Sequence, residues 1–467
     1  MTELPTSEGV QVDVLVVGAG MAGMAAAAEA AAAGAAVGVA EKLPEIGGSA
    51  ALSAGIFWAP RDEAELRARI PGGDASLGHA LTSDFPAAAE WVRGAGIEMS
   101  ERIEGPYFGF GVGWQIDVRG FFDWCRRQVE ARGGWVVRDT AGRQLLARPD
   151  GRVHGAALEG PDGPVVVEAG AVILATGGFQ GDPALVASFI GPNADRVLVR
   201  SNPGSVGDGF RLAGSVGGAA SRSLGGFYGH LVGAPVHDWS ERHFLPLTQY
   251  HSIFCILVDL YGRRFIDESR GDEYSNQAVV ALPGSRAILL ADDATRRARV
   301  VTAPYPRGEV VDRFRAAADA GARYAIADTV DGLIEAVAAW GVPAGSLRAT
   351  LTAYDQVSAG QVVALDAPVP ALPAPLRVAP FHALEVQPAL TFPLGGIRID
   401  VDGHVLDHDD RAVPGLFAAG ADAGGLYHEG YGGGLGMSCV FGRRAARAAL
   451  AELAVRDRAD QPAGSRT

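Results

Sequence analysis

The residues of this chain best suited to chemistry fall into two glycine clusters and a scatter of histidines and tyrosines. The first cluster reads Gly18-Ala19-Gly20-Met21-Ala22-Gly23. It directly follows the apolar run Asp13-Val14-Leu15-Val16-Val17 and precedes an alanine-rich stretch that closes at Gly34. A second short apolar run, Ala36 to Ala40, ends on Glu41. Strand, G-x-G-x-x-G, helix, strand and acid in this order are what a dinucleotide site requires. Gly18 allows the tight turn, Gly20 lets a pyrophosphate reach the backbone, and Gly23 lets the helix pack close to the strand. The first helical turn, with Met21 and Ala22, then offers free N–H groups and a positive dipole end to the phosphates. Glu41 suits the ribose hydroxyls. A mere glycine-rich turn before an alanine helix would leave Glu41 and the glycine spacing unexplained.

Beyond Glu41-Lys42 the chain continues through Gly47-Gly48-Ser49 to Ala54-Gly55, a stretch of small residues. Small residues suit a backbone passing close to a planar ring. The whole of 13–55 resembles the fumarate reductase/succinate dehydrogenase flavoprotein superfamily, and most closely its 3-ketosteroid dehydrogenase-like branch. The resemblance implies FAD. Residues 42–58 contain no histidine, so it implies non-covalent FAD. Further matches are the strand Ala171–Leu174 running into Ala175-Thr176-Gly177, the turn Gly207-Asp208-Gly209, the element Asp259–Glu268, and the block from Pro414-Gly415 through Gly420 and Asp422 to Phe441-Gly442. Gly434, Leu435 and Gly436 lie at the approach to the last helix, expected near 436–455, and are read as a backbone cradle for the flavin.

The same resemblance supplies catalytic candidates. Aligned on its glycines, the C-terminal loop puts His428 where ketosteroid dehydrogenases carry a catalytic tyrosine, and Tyr431 near the place of a substrate-binding arginine in fumarate reductases. In Asp259–Glu268, Arg264 and Glu268 are read as structural. Just beyond it, the family spacing falls on Asp272, with Arg270 two residues early and Tyr274 two late. Tyr228 and His230 match the region of a substrate histidine. This half of the site is expected from an inserted cap. The cationic clamps that a dicarboxylate needs are missing at matching positions, where aromatic residues or glycine stand instead. The expectation is a larger, less charged substrate whose reacting C–C bond adjoins a carbonyl, with proton abstraction by His428 or Tyr274 and hydride transfer to or from flavin N5. Two alternatives stay open: another flavin oxidase or dehydrogenase, and a non-redox isomerase or cyclase that uses FAD as a scaffold.

The elements that must position these residues indicate an α/β fold: a Rossmann-type, GR2-like FAD-binding domain interrupted by an α+β capping domain. The expected boundaries are 1–225, 226–389 and 390–467. Helical patterns are expected at 76–100, 118–132, 309–340 and 345–358. The chain has 467 residues, 48% apolar and 20% charged, with net charge −14. This suits a globular protein and argues against nucleic acid, which needs a basic footprint. Cys125, Cys255 and Cys439 form no metal or haem motif. No signal peptide, membrane span or second G-x-G-x-x-G is visible. The expectation is therefore a cytoplasmic enzyme without a metal, taking a small-molecule carbonyl substrate and exchanging electrons with an external acceptor or donor.

Overall fold

The computed structural model describes residues 10–105, 109–371 and 373–460. The chain forms two compact units, one of residues 1–185, 202–226 and 392–467, the other of 186–201 and 227–391.

The first unit is built on a parallel sheet. β1 (Val10–Val17) leads through α1 (Met21–Ala32) to β2 (Val37–Ala40). β1 pairs in parallel with β2 on one side and with the long strand Gly163–Leu174 on the other; Val17 sits opposite both Ala40 and Leu174. Trp135–Val137 extends the sheet beyond β2, and Ala412–Ala418 extends it beyond Gly163–Leu174, both in parallel. Val153–Gly160 pairs antiparallel with the earlier half of Gly163–Leu174, and Ala141–Ala147 pairs antiparallel with Val153–Gly160. A parallel sheet must be covered on both faces, which is why Val14–Val17 of β1 and the whole of β2 are apolar and buried.

Eight of the twelve residues of α1 are alanine and one is glycine, and ten of the twelve are buried. Alanine has the highest helix propensity and the smallest side chain, so α1 can bury almost its whole circumference. A Cβ on Gly442 would lie 2.2 Å from the Ala22 carbonyl oxygen, so the final helix, Gly434–Asp460, crosses α1 nearly backbone to backbone. Glu29 of α1 then accepts from Arg443 at 2.8 Å and from Arg447 at 2.6 Å.

The second unit holds a sheet ordered Leu198–Val199, Phe381–Pro393, Ala287–Asp292, Ile256–Asp259, with Phe227–Gly233 and Tyr324–Ala327 also pairing with Phe381–Pro393. Alternation along the strands splits its core. Leu257, Leu289, Leu384 and Val386 join Val279 and Phe314, whereas Ile256, Val258, Ile288 and Leu290 join Leu333, Val337, Leu347 and Leu351.

The expected helical stretch 309–340 is corrected. Helices Arg313–Asp319 and Val330–Ala338 are separated by the strand Tyr324–Ala327, which pairs antiparallel with Phe381–Leu384. Gly321, at φ +102°, follows the first helix, and the Thr329 side chain caps the second by accepting from the Gly332 N–H. Apolar spacing does not resolve so short a strand between two helices.

Arg264 and Glu268 form a fully buried ion pair. Nη2 and Nε of Arg264 donate to Glu268 at 2.5 and 3.0 Å, and the Leu257 N–H donates to the same carboxylate at 2.9 Å. Removing one partner strands a buried charge. Glu268→Ala is expected to cost about 3–5 kcal/mol, measured by urea unfolding; a loss below about 1 kcal/mol would contradict a structural role for the pair.

Candidate active site

The dinucleotide signature closes as a turn at the end of β1. Gly18 adopts φ +106°, and a Cβ there would sit 2.2 Å from the Ala175 carbonyl oxygen. A Cβ on Gly23 would meet the Gly18 oxygen at 1.9 Å. Gly20 differs: a Cβ there would meet nothing within 4 Å. Gly20 is also the N-cap of α1, with no side-chain cap and no acid in the first turn. Open space therefore lies at an uncapped helix start, the fit that a pyrophosphate needs.

Glu41 is buried, and its carboxylate accepts from the Ala19 N–H at 2.8 Å and the Leu43 N–H at 2.9 Å. Burial raises its pKa, and these two bonds oppose the rise. Glu41 thus holds the glycine turn in shape. Gly47, at φ +119°, donates its N–H to the Ala19 oxygen at 2.9 Å and bridges to Gly20, which lays Gly47-Gly48 beside the turn. Lys42 Nζ donates to Asp208 at 2.6 Å and to the Gly204 oxygen at 2.5 Å. Ser49 Oγ accepts from the Asn202 N–H at 3.1 Å, and the Ala54 oxygen accepts from Gln115 Nε2 at 2.8 Å. Gly55 takes φ +76°.

Asp422 is fully buried and gathers the Ala175-Thr176-Gly177 turn. It accepts from the Thr176 N–H, from Thr176 Oγ1 at 3.0 Å and from the Gly178 N–H at 3.1 Å, while Thr176 Oγ1 accepts from the Gly209 N–H at 2.9 Å. Burial raises the Asp422 pKa and these donors hold it down. Gly177 and Gly420 take φ +99° and +71°.

Several glycines of the C-terminal loop serve packing. A Cβ on Gly433 or Gly436 would come within 2.1 or 2.3 Å of the Trp58 oxygen. Tyr431 is buried beside Trp58, Phe392 and Tyr427, at ring distances of 5.7, 6.0 and 6.0 Å. Its hydroxyl accepts from the Gly434 N–H at 2.7 Å and so caps the last helix. His428 is half-exposed, and a Cβ on Gly72 would fall 2.5 Å from its ring. Between these two, Glu429 has φ +60°, a left-handed conformation that costs a non-glycine residue on the order of 1 kcal/mol or more.

In the second unit, Tyr228 and His230 lie two apart on one strand and so share a face. The Tyr228 hydroxyl meets His230 Nε2 at 2.7 Å. His230 Nδ1 bonds Asp272, whose other oxygen accepts from Ser252 Oγ at 2.6 Å. Tyr228, His230, Ser252 and Asp272 are all buried. Burial lowers the His230 pKa; Asp272 opposes this and Arg200 adds to it. Both nitrogens of His230 are thus taken up, Nε2 by the Tyr228 hydroxyl and Nδ1 by Asp272. Arg270 and Tyr274 form a separate pair, the guanidinium 4.4 Å from the ring centroid. Sequence reasoning missed Ser252 as a partner of Asp272. Among the described residues no three histidines, cysteines or carboxylates could hold a metal, and no helix is long and apolar enough to cross a membrane.

Residues 13–107 and 123–436 match the FAD binding domain family. The chain belongs to that family. Its members' flavin is FAD, and the glycine turn, the uncapped helix start and the space at Gly20 fit that cofactor. Over 465 residues the chain is 29% identical to a fumarate reductase (cytochrome) of Shewanella frigidimarina, covering 93% of this chain and 76% of that one. The fold is shared with a 3-ketosteroid-Δ4-(5α)-dehydrogenase from Rhodococcus jostii RHA1, with TM-score 0.74, 23% identity, and coverage of 95% and 98% of the two chains. It is shared too with a 3-ketosteroid Δ1-dehydrogenase from Sterolibacterium denitrificans, with TM-score 0.76, 19% identity, and coverage of 94% and 99%. The resemblance drawn from 13–55 therefore holds for nearly the whole chain, and this member of the FAD binding domain family is an FAD-dependent oxidoreductase acting on CH–CH bonds.

Glu273 sits beside the buried chain, and its Oε2 has no hydrogen-bond partner. Burial, with Asp272 adding to it, pushes its carboxyl from 4.5 up to about 8. Between these values the unfolded chain is ionised at Glu273 and the native state is not. Native stability is therefore expected to fall as pH rises through this window. Glu273→Gln should flatten that dependence in melting curves taken from pH 5 to pH 8; an unchanged slope would reject the assignment.

Proposed function

We propose that this protein desaturates or reduces a C–C bond adjacent to a carbonyl, on a cyclic ketone or enone of the ketosteroid kind, with FAD bound non-covalently. The observation that carries the reading is the buried chain Tyr228–His230–Asp272. Breaking a C–H bond α to a carbonyl needs a base with a defined proton path. Bound FAD would supply the hydride acceptor or donor.

The chain's own residues supply the rest. The Tyr228 hydroxyl takes the α-proton, or returns it in reduction. The His230 ring accepts the tyrosine proton, and Asp272 fixes the ring orientation and balances the charge that forms. Ser252 holds the second Asp272 oxygen, so the carboxylate cannot swing away. His428, on the strained turn beside Tyr431, is the candidate for orienting the carbonyl oxygen, a role that requires a preorganised donor. Tyr274, stacked under Arg270, is the second acid/base candidate. Electrons pass to or from an external partner, and the cytoplasm is the compartment proposed.

Anaerobic addition of saturated cyclic ketones to the FAD-loaded protein is expected to bleach the visible flavin absorbance and yield the enone. Reoxidation of dithionite-reduced protein by enones would assign the reductive direction. Neither response, in protein that holds FAD, would overturn the proposal.

Tyr228→Phe should keep the flavin spectrum and slow bleaching by roughly 10²–10⁴-fold. His230→Gln should shift the pH profile of bleaching, which a packing role would leave in place. His428→Ala should retain FAD yet lose substrate-driven bleaching, and unchanged turnover would remove His428 from the mechanism.

A further inference from the structure

Two arginines are buried in the second unit without a counter-charge. Arg200 and Arg313 are each 2% exposed, and among the described residues neither has a carboxylate within 4.0 Å. Every oxygen they meet is neutral. Arg200 Nε donates to Thr248 Oγ1 at 2.9 Å and to the Phe244 carbonyl at 3.1 Å, Nη1 to Thr391 Oγ1 at 3.1 Å, and Nη2 to the Tyr250 hydroxyl at 3.3 Å. Arg313 Nη1 donates to the carbonyls of Val300, Thr302 and Val311, and its Nε has no partner. The buried Arg264 of the same unit, by contrast, has its charge balanced by Glu268 at 2.5 Å, although its Nη1 has no hydrogen-bond partner.

The two cations are neighbours. Tyr250 lies between them, its hydroxyl bonded to Arg200 and its ring centroid 5.5 Å from the Arg313 guanidinium carbon. The Tyr305 hydroxyl feels both charges. His251 is buried close enough to Arg313 to feel its charge, and neither of its ring nitrogens has a partner. A buried charge left unpaired costs several kcal/mol, and a fork of N–H donors facing no anion is the arrangement that binds a carboxylate. The Tyr250 ring also lies 4.9 Å from that of His230, so the cationic cluster adjoins the proton chain within this unit.

We propose that Arg200 and Arg313, with Tyr250 and Tyr305, form a carboxylate site, and that the substrate is therefore an organic acid. This rests on the reading under Proposed function and narrows its substrate class. The arginines do not stand at positions where the sequence resemblance located anion clamps, so the expected low charge of the substrate gives way to one anionic group.

The test is calorimetric titration of the FAD-loaded full chain with acetate and cyclohexanecarboxylate, each against its uncharged amide. Cyclohexanecarboxylate should bind roughly tenfold or more tightly than the amide, and acetate should compete with it. Arg313→Lys and Arg200→Lys should each erase most of that preference. Tyr305→Phe, at a less buried position, should weaken the acid by a few-fold and leave the amide unchanged, so a folding defect in the arginine variants does not decide the outcome. Equal affinity of acid and amide, no binding of either acid, or full retention of the preference in all folded variants would overturn the site. Flavin bleaching by uncharged ketones without any carboxylate preference would reject this inference while leaving the redox reading intact. Carboxylate preference in a protein whose flavin never responds to ketone or enone would do the reverse.

Discussion

The flavin unit depends on a set of backbone approaches too close for any side chain. Gly18 lies against the Ala175 carbonyl, Gly23 against the Gly18 carbonyl, and Gly442 against the Ala22 carbonyl. These contacts bring the end of β1, the start of α1 and the last helix together at the carboxyl edge of the parallel sheet. In an α/β sheet this edge is where ligands bind. Because nothing caps α1, its first N–H groups remain for a phosphate. The same constraint explains why Glu41 and Asp422, two acids beside the cofactor signature, spend their oxygens on backbone N–H groups. The loops at this edge are short and glycine-rich, and a buried carboxylate is the economical way to gather several backbone donors at once.

Polar burial in the second unit follows a different logic. Arg264–Glu268 has its charge cancelled within the pair, and the Glu268 oxygen that meets Arg264 Nε also accepts from the Leu257 N–H, leaving Arg264 Nη1 without a partner. Asp272 is closed, shared between His230 and Ser252. Arg200 has a neutral partner at each nitrogen, Arg313 lacks one at Nε, and neither has its charge cancelled by a carboxylate among the described residues. Low dielectric makes this distinction count, since neutral oxygens satisfy donor geometry but do not cancel a net charge. One unit thus holds a self-sufficient ion pair, a proton chain with defined ends, and a positive cluster that lacks its anion.

The glycine signature, the order of the first strand–helix–strand unit and the FAD assignment were legible in the sequence because each rests on short-range geometry. A left-handed turn needs Gly18, and a parallel strand needs apolar residues on both faces. Neighbouring residues suffice to read such features. The strand Tyr324–Ala327 escaped the same reading because four residues between two helices carry too little periodicity. It becomes a strand through its pairing with Phe381–Leu384, a partner far along the chain.

Side-chain partnerships were legible only where the spacing was local. Tyr228 and His230 share a face because they are two apart on a strand. That Asp272 completes their chain, and that Ser252 completes Asp272, follows from how the strand, the helix that opens at Asp272 and the turn before Cys255 pack. Composition counts arginines and carboxylates, but charge compensation is a matter of distances within a few ångströms. Arg264 finds Glu268 four residues on, within reach of local pattern. Arg200 and Arg313 come from different segments of the unit and meet across Tyr250. That no carboxylate among the described residues stands beside them is a property of the packed interior, which only the fold assembles.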